Sequence, residues 1–151
     1  MTPDQFKQRL QLQRKELKQA FARTLPVKVG AAAEAFARDN FRRQGFLDSS
    51  LKSWTPAKRR SDPKNPDRAY GTLLSRRRAL YMSIKHRVQP GVAIVYSNVP
   101  YAAAHNEGTN NAGRGHRTRL PKRQFIGASK TFAAQALKII ETELSRILKT
   151  A

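Results

Sequence analysis

The sequence predicts an α+β fold in which long N-terminal and C-terminal helices pack on a small antiparallel sheet, with long basic loops. Three observations support this prediction. Apolar residues recur with the period of an α-helix at both ends of the chain, a β-branched run (VAIVYS) follows a Gln-Pro-Gly turn, and two basic stretches show no period. Elements of these two kinds typically form separate layers around one core. With 151 residues, the chain is expected to be a single domain, residues 1–151.

The N-terminal helices are predicted over residues 3–44. Thr2 is suited to the N-cap, Pro3 to the first helical position, and Gln5 completes a capping box. A second helix is expected to start after Pro26 and to stop at Gly45. One face of the first helix is apolar and the opposite face is basic, which is typical of an amphipathic helix; the apolar residues are Phe6, Leu10, Leu17 and Phe21.

A loop is predicted over residues 46–70, because this stretch is rich in proline and basic residues and shows no period. Its single tryptophan, Trp54, is expected to anchor it to the core. A helix-sheet core follows over residues 71–128. It is predicted to begin with a short helix over residues 71–84.

The rest of this core is predicted as a hairpin, a helical turn and a strand. The hairpin surrounds Gln89-Pro90-Gly91, the turn runs from Pro100 to Gly108, and a third strand lies within RLPKRQFIG. The C-terminal helix is predicted over residues 129–149 with Ser129 as its cap.

The charge of the chain indicates an anionic partner. Thirty Lys and Arg residues stand against ten Asp and Glu residues, a formal net charge of +20. Such a protein is attracted to polyanions, and nucleic acid is the commonest of them. We find no helix-turn-helix, RRM or KH signature, so any nucleic-acid contact is expected to be independent of base sequence. The arginines expected at an interface or polyanion contact are Arg59, Arg60, Arg76, Arg77, Arg78, Arg114, Arg117 and Arg119.

Catalytic readings of the sequence are weak, and neither catalysis nor a metal or cofactor is expected. His105, Glu107 and His116 suggest a metal-dependent hydrolase, but zinc sites need a further well-placed ligand. The H-x-E pattern of zinc deaminases needs a downstream P-C-x-x-C, and the chain contains no cysteine. No G-x-S-x-G or Walker-type phosphate loop is present. No apolar run reaches the roughly 18 residues of a membrane span, so no membrane contact is expected.

Four stretches, in order, resemble the virion morphogenesis and tail-completion family of Mu-like phages and prophages. They are NFRRQG followed by SWTP, then LLSRRRALYMSI, then YAAAHNEG, and finally LPKRQFIGAS. The corresponding family patterns include Trp-x-Pro, Thr-Gly-x-Leu-x-x-Ser-Ile, Tyr-Ala-x-x-His-x-x-Gly and Pro-x-Arg-x-Phe-x-Gly. Arg77 and Arg78 stand where the family commonly has Thr-Gly. The matching residues are Trp54, Leu80, Ser83, Ile84, Tyr101, His105, Gly108, Pro121, Arg123, Phe125 and Gly127.

The resemblance implies a non-enzymatic structural protein that acts in tail completion or head–tail joining and forms rings, often of six copies. Its partners would be further copies of itself and other head–tail connector or tail proteins, with non-specific DNA contact as an additional expectation. It would be found in the virion, and in the bacterial host cytoplasm during assembly. A basic, sequence-independent nucleic-acid-binding protein remains the alternative.

The resemblance also implies roles for single residues. Tyr101, His105 and Gly108 would fix the short helix. Phe125 would hold the third strand in the core, with Arg123 paired or at a subunit contact. The polar loop from Thr109 to Arg119 and the basic loop around Trp54 would become ordered on assembly.

Overall fold

The computed structural model describes residues 1–149, so residues 150 and 151 of the predicted domain lie outside the described part of the chain. Long helices at both ends and short antiparallel strands confirm the predicted α+β class. The strands form three separate two-stranded sheets, β1–β2, β3–β4 and β5–β6. The elements are α1 (Pro3–Gln19), a π-helical segment (Ala20–Thr24), α2 (Leu25–Arg43), β1 (Gly45–Leu47), β2 (Leu51–Ser53), two 3₁₀ turns (Lys58–Ser61 and Pro66–Arg68), α3 (Ala79–Ser83), β3 (Ile84–Gln89), β4 (Val92–Ser97), α4 (Ala102–Glu107), β5 (Thr109–Ala112), β6 (Thr118–Leu120) and α5 (Lys130–Lys149).

The N-terminal helices follow one another without a break from Pro3 to Arg43. The predicted capping box at Thr2 is confirmed, but the prediction of a separate helix starting after Pro26 is wrong. Pro26 lies within the helical run, and a proline there removes one backbone donor and crowds the preceding turn. The π-helical segment widens that turn, since the N–H of Leu25 reaches back five residues to the carbonyl of Ala20.

The end of α2 differs from the prediction that Gly45 stops the helix. Gln44 adopts the left-handed cap conformation, with φ of 54°, and Gly45 is the first residue of β1. A Cβ atom on Gly45 would lie 2.7 Å from the carbonyl oxygen of Lys52 on the paired strand. The β1–β2 hairpin that follows replaces the first part of the loop predicted over residues 46–70.

Two further predictions are corrected in the middle of the chain. The short helix expected over residues 71–84 is confined to Ala79–Ser83. Leu73 and Arg78 have φ of 62° and 51°, which ends any right-handed helix at those points. The hairpin predicted around Gln89-Pro90-Gly91 is confirmed, with Ile84 paired to Ser97 at its open end.

The polar stretch from Thr109 to Arg119, predicted as a loop, forms the β5–β6 hairpin, in which Thr109 pairs with Leu120. The third strand predicted within RLPKRQFIG is correspondingly short. It ends at Leu120, because Pro121 follows and has no N–H for a sheet ladder. The expectation that Arg123 and Phe125 lie in this strand is therefore wrong, since both belong to an irregular segment over residues 121–128.

The core lies where α2, β3 and this irregular segment meet. The ring of Phe41 contacts those of Trp54, Tyr81 and Phe125 at centroid distances of 5.4, 5.8 and 5.1 Å. The helix α5 closes the other side of α2, and its predicted cap is confirmed by the bond from the Phe132 amide to the Ser129 hydroxyl at 3.1 Å. Burial of each large apolar side chain stabilises this core by about 1.5–3 kcal/mol.

Candidate assembly surface and motif residues

A hydrogen bond fixes the β3–β4 turn against the bend of the N-terminal helix. The N–H of Gly91 donates to the carbonyl oxygen of Ala22 at 3.1 Å. In a regular α-helix this carbonyl would accept from residue 26, but Pro26 has no N–H. The proline therefore leaves an acceptor free inside the helix, and the hairpin turn supplies the donor.

An apolar groove lies between α1 and this turn. Its volume is about 620 Å³, and the apolar residues Leu10, Leu17, Phe21 and Pro90 line it together with Arg14 and Lys18. Leu10 and Phe21 are 48% and 53% exposed, and α1 contains no buried residue. The predicted apolar face thus exists, and the rest of residues 1–149 leaves about half of Leu10 and Phe21 exposed on it.

An uncovered apolar face of this kind marks an interaction surface more often than a structural accident. The positive charges of Arg14 and Lys18 beside the groove favour an acidic partner, or a basic partner at an ionic strength that screens the repulsion.

Four motif residues lie together in the core. Trp54, Leu80, Ile84 and Phe125 are all buried in one cluster. The indole Nε1–H of Trp54 donates to the carbonyl of Gln124 at 2.8 Å. These residues therefore hold the fold and present no reactive group to solvent.

Ser83 joins α3 to the neighbouring strand. Its hydroxyl lies 2.6 Å from the carbonyl oxygen of Leu80 and 2.7 Å from the hydroxyl of Ser97.

Two more motif residues are glycines at positions where neighbouring atoms leave little room for a side chain. A Cβ atom on Gly108 would lie 2.8 Å from the amide nitrogen of Lys122, and one on Gly127 would collide with the side-chain amide of Gln124. Pro121 is half-buried directly after β6.

Two asparagines that the sequence did not single out hold the irregular segment. The Oδ1 atom of Asn106 accepts from the amides of Phe125 and Ile126 at 2.9 and 3.0 Å. Asn40 is fully buried; it donates to the carbonyl of Phe125 at 3.2 Å and accepts from the amide of Leu47 at 3.1 Å. In the sequence, Asn40 is marked only by being an amide residue on the apolar side of a helix.

A second cavity, of about 210 Å³, brings together His105, Arg123, Tyr101 and Arg59. The side chain of Arg123 donates from Nε to the carbonyl of Thr55 at 2.8 Å. Burial and the nearby charge of Arg59 lower the pKa of Arg123. Burial, and secondarily the charge of Arg123, lowers the pKa of His105. The ring of Tyr101 stands edge-on to that of His105 at 6.0 Å.

The arginines named as contact candidates differ in availability. Arg59 is already engaged, because it stacks on the ring of Tyr70 at 4.6 Å and donates to the carbonyls of Gly71 and Leu74. The other seven have exposed side chains: Arg60, Arg76, Arg77, Arg78, Arg114, Arg117 and Arg119.

The residues considered for a metal site do not form one. His116 lies in the exposed β5–β6 turn with φ of 49°, and Glu107 is exposed beside Asn106. Within residues 1–149, no three His, Asp or Glu side chains are placed to hold a metal ion together. The helices described by the structure also include none long and apolar enough to span a membrane.

Comparison with known sequences adds one match. The family model described as the phage virion morphogenesis family matches residues 4–145. Comparisons with curated proteins and with solved structures gave no match.

Proposed function

Because the chain belongs to the phage virion morphogenesis family, we propose that it is a structural protein of tail completion or head–tail joining that works as a ring-like oligomer. Its partners in this proposal are further copies of itself and other head–tail connector or tail proteins. It acts in the virion, after assembly in the bacterial host cytoplasm. No catalytic step is required of it.

The observation that carries this proposal is the uncovered apolar face of α1. A ring needs two different surfaces on each subunit, since a head-to-tail interface closes into a ring by rotation. The groove beside Leu10 and Phe21 supplies one of them. Apolar side chains exposed elsewhere provide candidates for the second; they include Val92, Tyr96, Leu137 and Leu148.

The charge of the subunit sets the conditions for such an assembly. Copies that each carry +20 repel one another, and salt screens this repulsion over a Debye length of about 8–10 Å at physiological ionic strength. Rings are therefore expected to form more readily as ionic strength rises, or when an acidic partner neutralises the subunits.

Sedimentation velocity at several protein and salt concentrations tests the proposal. The double change Leu10→Ser and Phe21→Ser should abolish oligomers while the protein stays folded, because both side chains are about half exposed and neither belongs to the buried core. Leu12→Ser is the matched control, since Leu12 lies on the same helix, is 63% exposed and does not line the groove. A monomer under all conditions, together with normal infectious particles from a phage lacking the gene, would exclude the proposal.

A second candidate function, sequence-independent nucleic-acid binding, is favoured by the net charge and by the seven exposed arginines. It predicts tight DNA binding at low salt and a steep loss of affinity as salt rises. Replacing Arg76, Arg77 and Arg78 by alanine should then reduce the slope of log K against log salt, by roughly 0.9 for each phosphate that the variant no longer neutralises. No retention of DNA in a filter-binding titration at low salt would rule this function out.

A further inference from the structure

The cavity beside α4 brings two arginines together without an acidic residue. Arg59 and Arg123 both line it, and Arg123 is only 7% exposed. Burial, and secondarily the nearby charge of Arg59, lowers the pKa of Arg123. No ion pair among residues 1–149 involves either of them. Buried charges are normally paired, so the guanidinium of Arg123 is costly to bury unless an anion from outside completes its surroundings.

Hydrogen-bonding groups are also left over at this cavity. In the described residues, the side-chain bond of Arg123 comes from Nε alone, to the carbonyl of Thr55. The Nδ1 atom of His105 is buried and has no hydrogen-bond partner in residues 1–149. The two residues are held next to each other by the bond from the Arg123 amide to the His105 carbonyl at 2.9 Å. Unsatisfied buried polar atoms are rare in native proteins, so the unpartnered Nδ1 atom of His105, next to the Arg123 side chain, is informative.

The size and walls of the cavity restrict what enters it. About 210 Å³ compares with about 30 Å³ for one water molecule in the liquid, so a small acidic group with a short stem fits. Apolar side chains form much of the wall: Leu73, Leu74 and Leu80. The recessed guanidinium of Arg123 and the apolar wall together favour a carboxylate that is attached through a short hydrocarbon chain.

We propose that the cavity between Arg59, His105 and Arg123 binds a carboxylate supplied by another protein segment, an Asp or Glu side chain or a C-terminal carboxylate. The planar guanidinium of Arg123 matches a carboxylate in a two-point hydrogen bond. A duplex phosphate is bound by exposed side chains along its backbone and does not enter a leucine-walled recess. The proposal does not depend on the role in the virion.

Isothermal titration calorimetry with N-acetyl-leucyl-glutamate and with sodium glutarate tests this site, against sodium phosphate and sodium chloride at equal ionic strength. The two carboxylate probes should bind saturably, and phosphate should bind more weakly. Fluorescence emission from Trp54, the single tryptophan, provides a second measure of binding. Trp54 is next to Thr55, whose carbonyl accepts a hydrogen bond from Arg123, so a ligand on Arg123 should change the emission.

The variant Arg123→Lys should weaken binding by about tenfold or more, as expected for loss of a charge-assisted hydrogen bond. It keeps the charge, so a plain electrostatic effect would leave affinity unchanged. Arg60→Lys is the matched control, because Arg60 is exposed next to Arg59 and does not line the cavity. Circular dichroism of both variants establishes that they fold.

Three results would overturn the proposal: no saturable binding above the chloride control, equal losses in Arg123→Lys and Arg60→Lys, or tighter binding of phosphate than of the carboxylates. Sedimentation velocity with saturating N-acetyl-leucyl-glutamate separates the sources of the carboxylate. Dissociation of oligomers identifies a second copy of the chain, and oligomers that persist assign the carboxylate to a different protein. A monomer that binds the peptide would support this site and contradict the ring, so the two proposals fail separately.

Discussion

The amide of Gly91 donates a 3.1 Å hydrogen bond to the carbonyl of Ala22, which a regular α-helix would have paired with residue 26. Pro26 has no N–H, so the helix releases this acceptor and the π-helical segment opens the turn around it. The hairpin β3–β4 is thereby positioned against the helix. Pro90 and Gly91 of this turn form one wall of the apolar groove.

Gly91→Ala should destabilise the protein by about 1–2 kcal/mol, the cost of a left-handed conformation for a residue with a Cβ atom. The φ angle of Gly91 is +73°, and an added Cβ would meet no atom within 4 Å, so the effect is purely conformational. Urea unfolding measures it. Gly115→Ala is the control: its Cβ also has open space, its φ is outside the left-handed region, and stability should not fall.

Arg78→Gly should stabilise the protein by about 0.5–1 kcal/mol. Arg78 has φ of 51°, and glycine removes that strain, with part of the gain offset by its larger entropy in the unfolded chain. The midpoint of urea unfolding is the measurement.

The neighbouring change Arg77→Gly provides the comparison for Arg78→Gly. Arg77 is exposed like Arg78, but φ is not positive there, so glycine should lower stability or leave it unchanged. Equal stabilisation by both substitutions would point to relief of charge repulsion among the three arginines and would contradict the conformational explanation.

The sequence predicted best the elements that local chemistry determines. The capping box at Thr2 and the cap at Ser129 follow from side-chain-to-backbone hydrogen bonds between residues three apart, and the Pro90-Gly91 turn follows from its dipeptide. It failed where long-range contacts decide. Pro26 stops a helix by local rules, but here the distant Gly91 satisfies the carbonyl that the proline leaves free.

The candidate sites show the same division. The helical period of the apolar residues predicted the apolar face of α1. How much of that face stays exposed depends on how the other elements pack, which the period does not give. The cavity at Arg123 joins residues from positions 57 to 123, which no spacing in the sequence brings together. The prediction of a strand through Arg123 and Phe125 failed because asparagine side chains replace a partner strand there.

Asn40→Ala should destabilise the protein by about 2–3 kcal/mol. The change leaves the amide of Leu47 and the carbonyl of Phe125 without their partner, and an unsatisfied buried group costs about 1–3 kcal/mol. Asn110→Ala, at an exposed position of β5, should stay within about 0.5 kcal/mol of the parent. Urea unfolding measures the free energy of unfolding of both variants. Similar decreases in the two variants would contradict this explanation.

Glu143→Gln should remove most of the acid sensitivity of the α2–α5 contact. Hydrogen bonds from Arg146 and then from Lys28 lower the pKa of Glu143 from 4.5 to about 2. A carboxyl whose pKa is lower in the folded state stabilises the protein above its unfolded value, and this contribution disappears as pH falls from about 5 to about 2. The melting temperature of Glu143→Gln should therefore lie furthest below the parent near pH 7 and approach it near pH 2. Glu141→Gln, exposed on the same helix, should run parallel to the parent throughout, and a constant gap for Glu143→Gln would show that the carboxylate charge is not the cause.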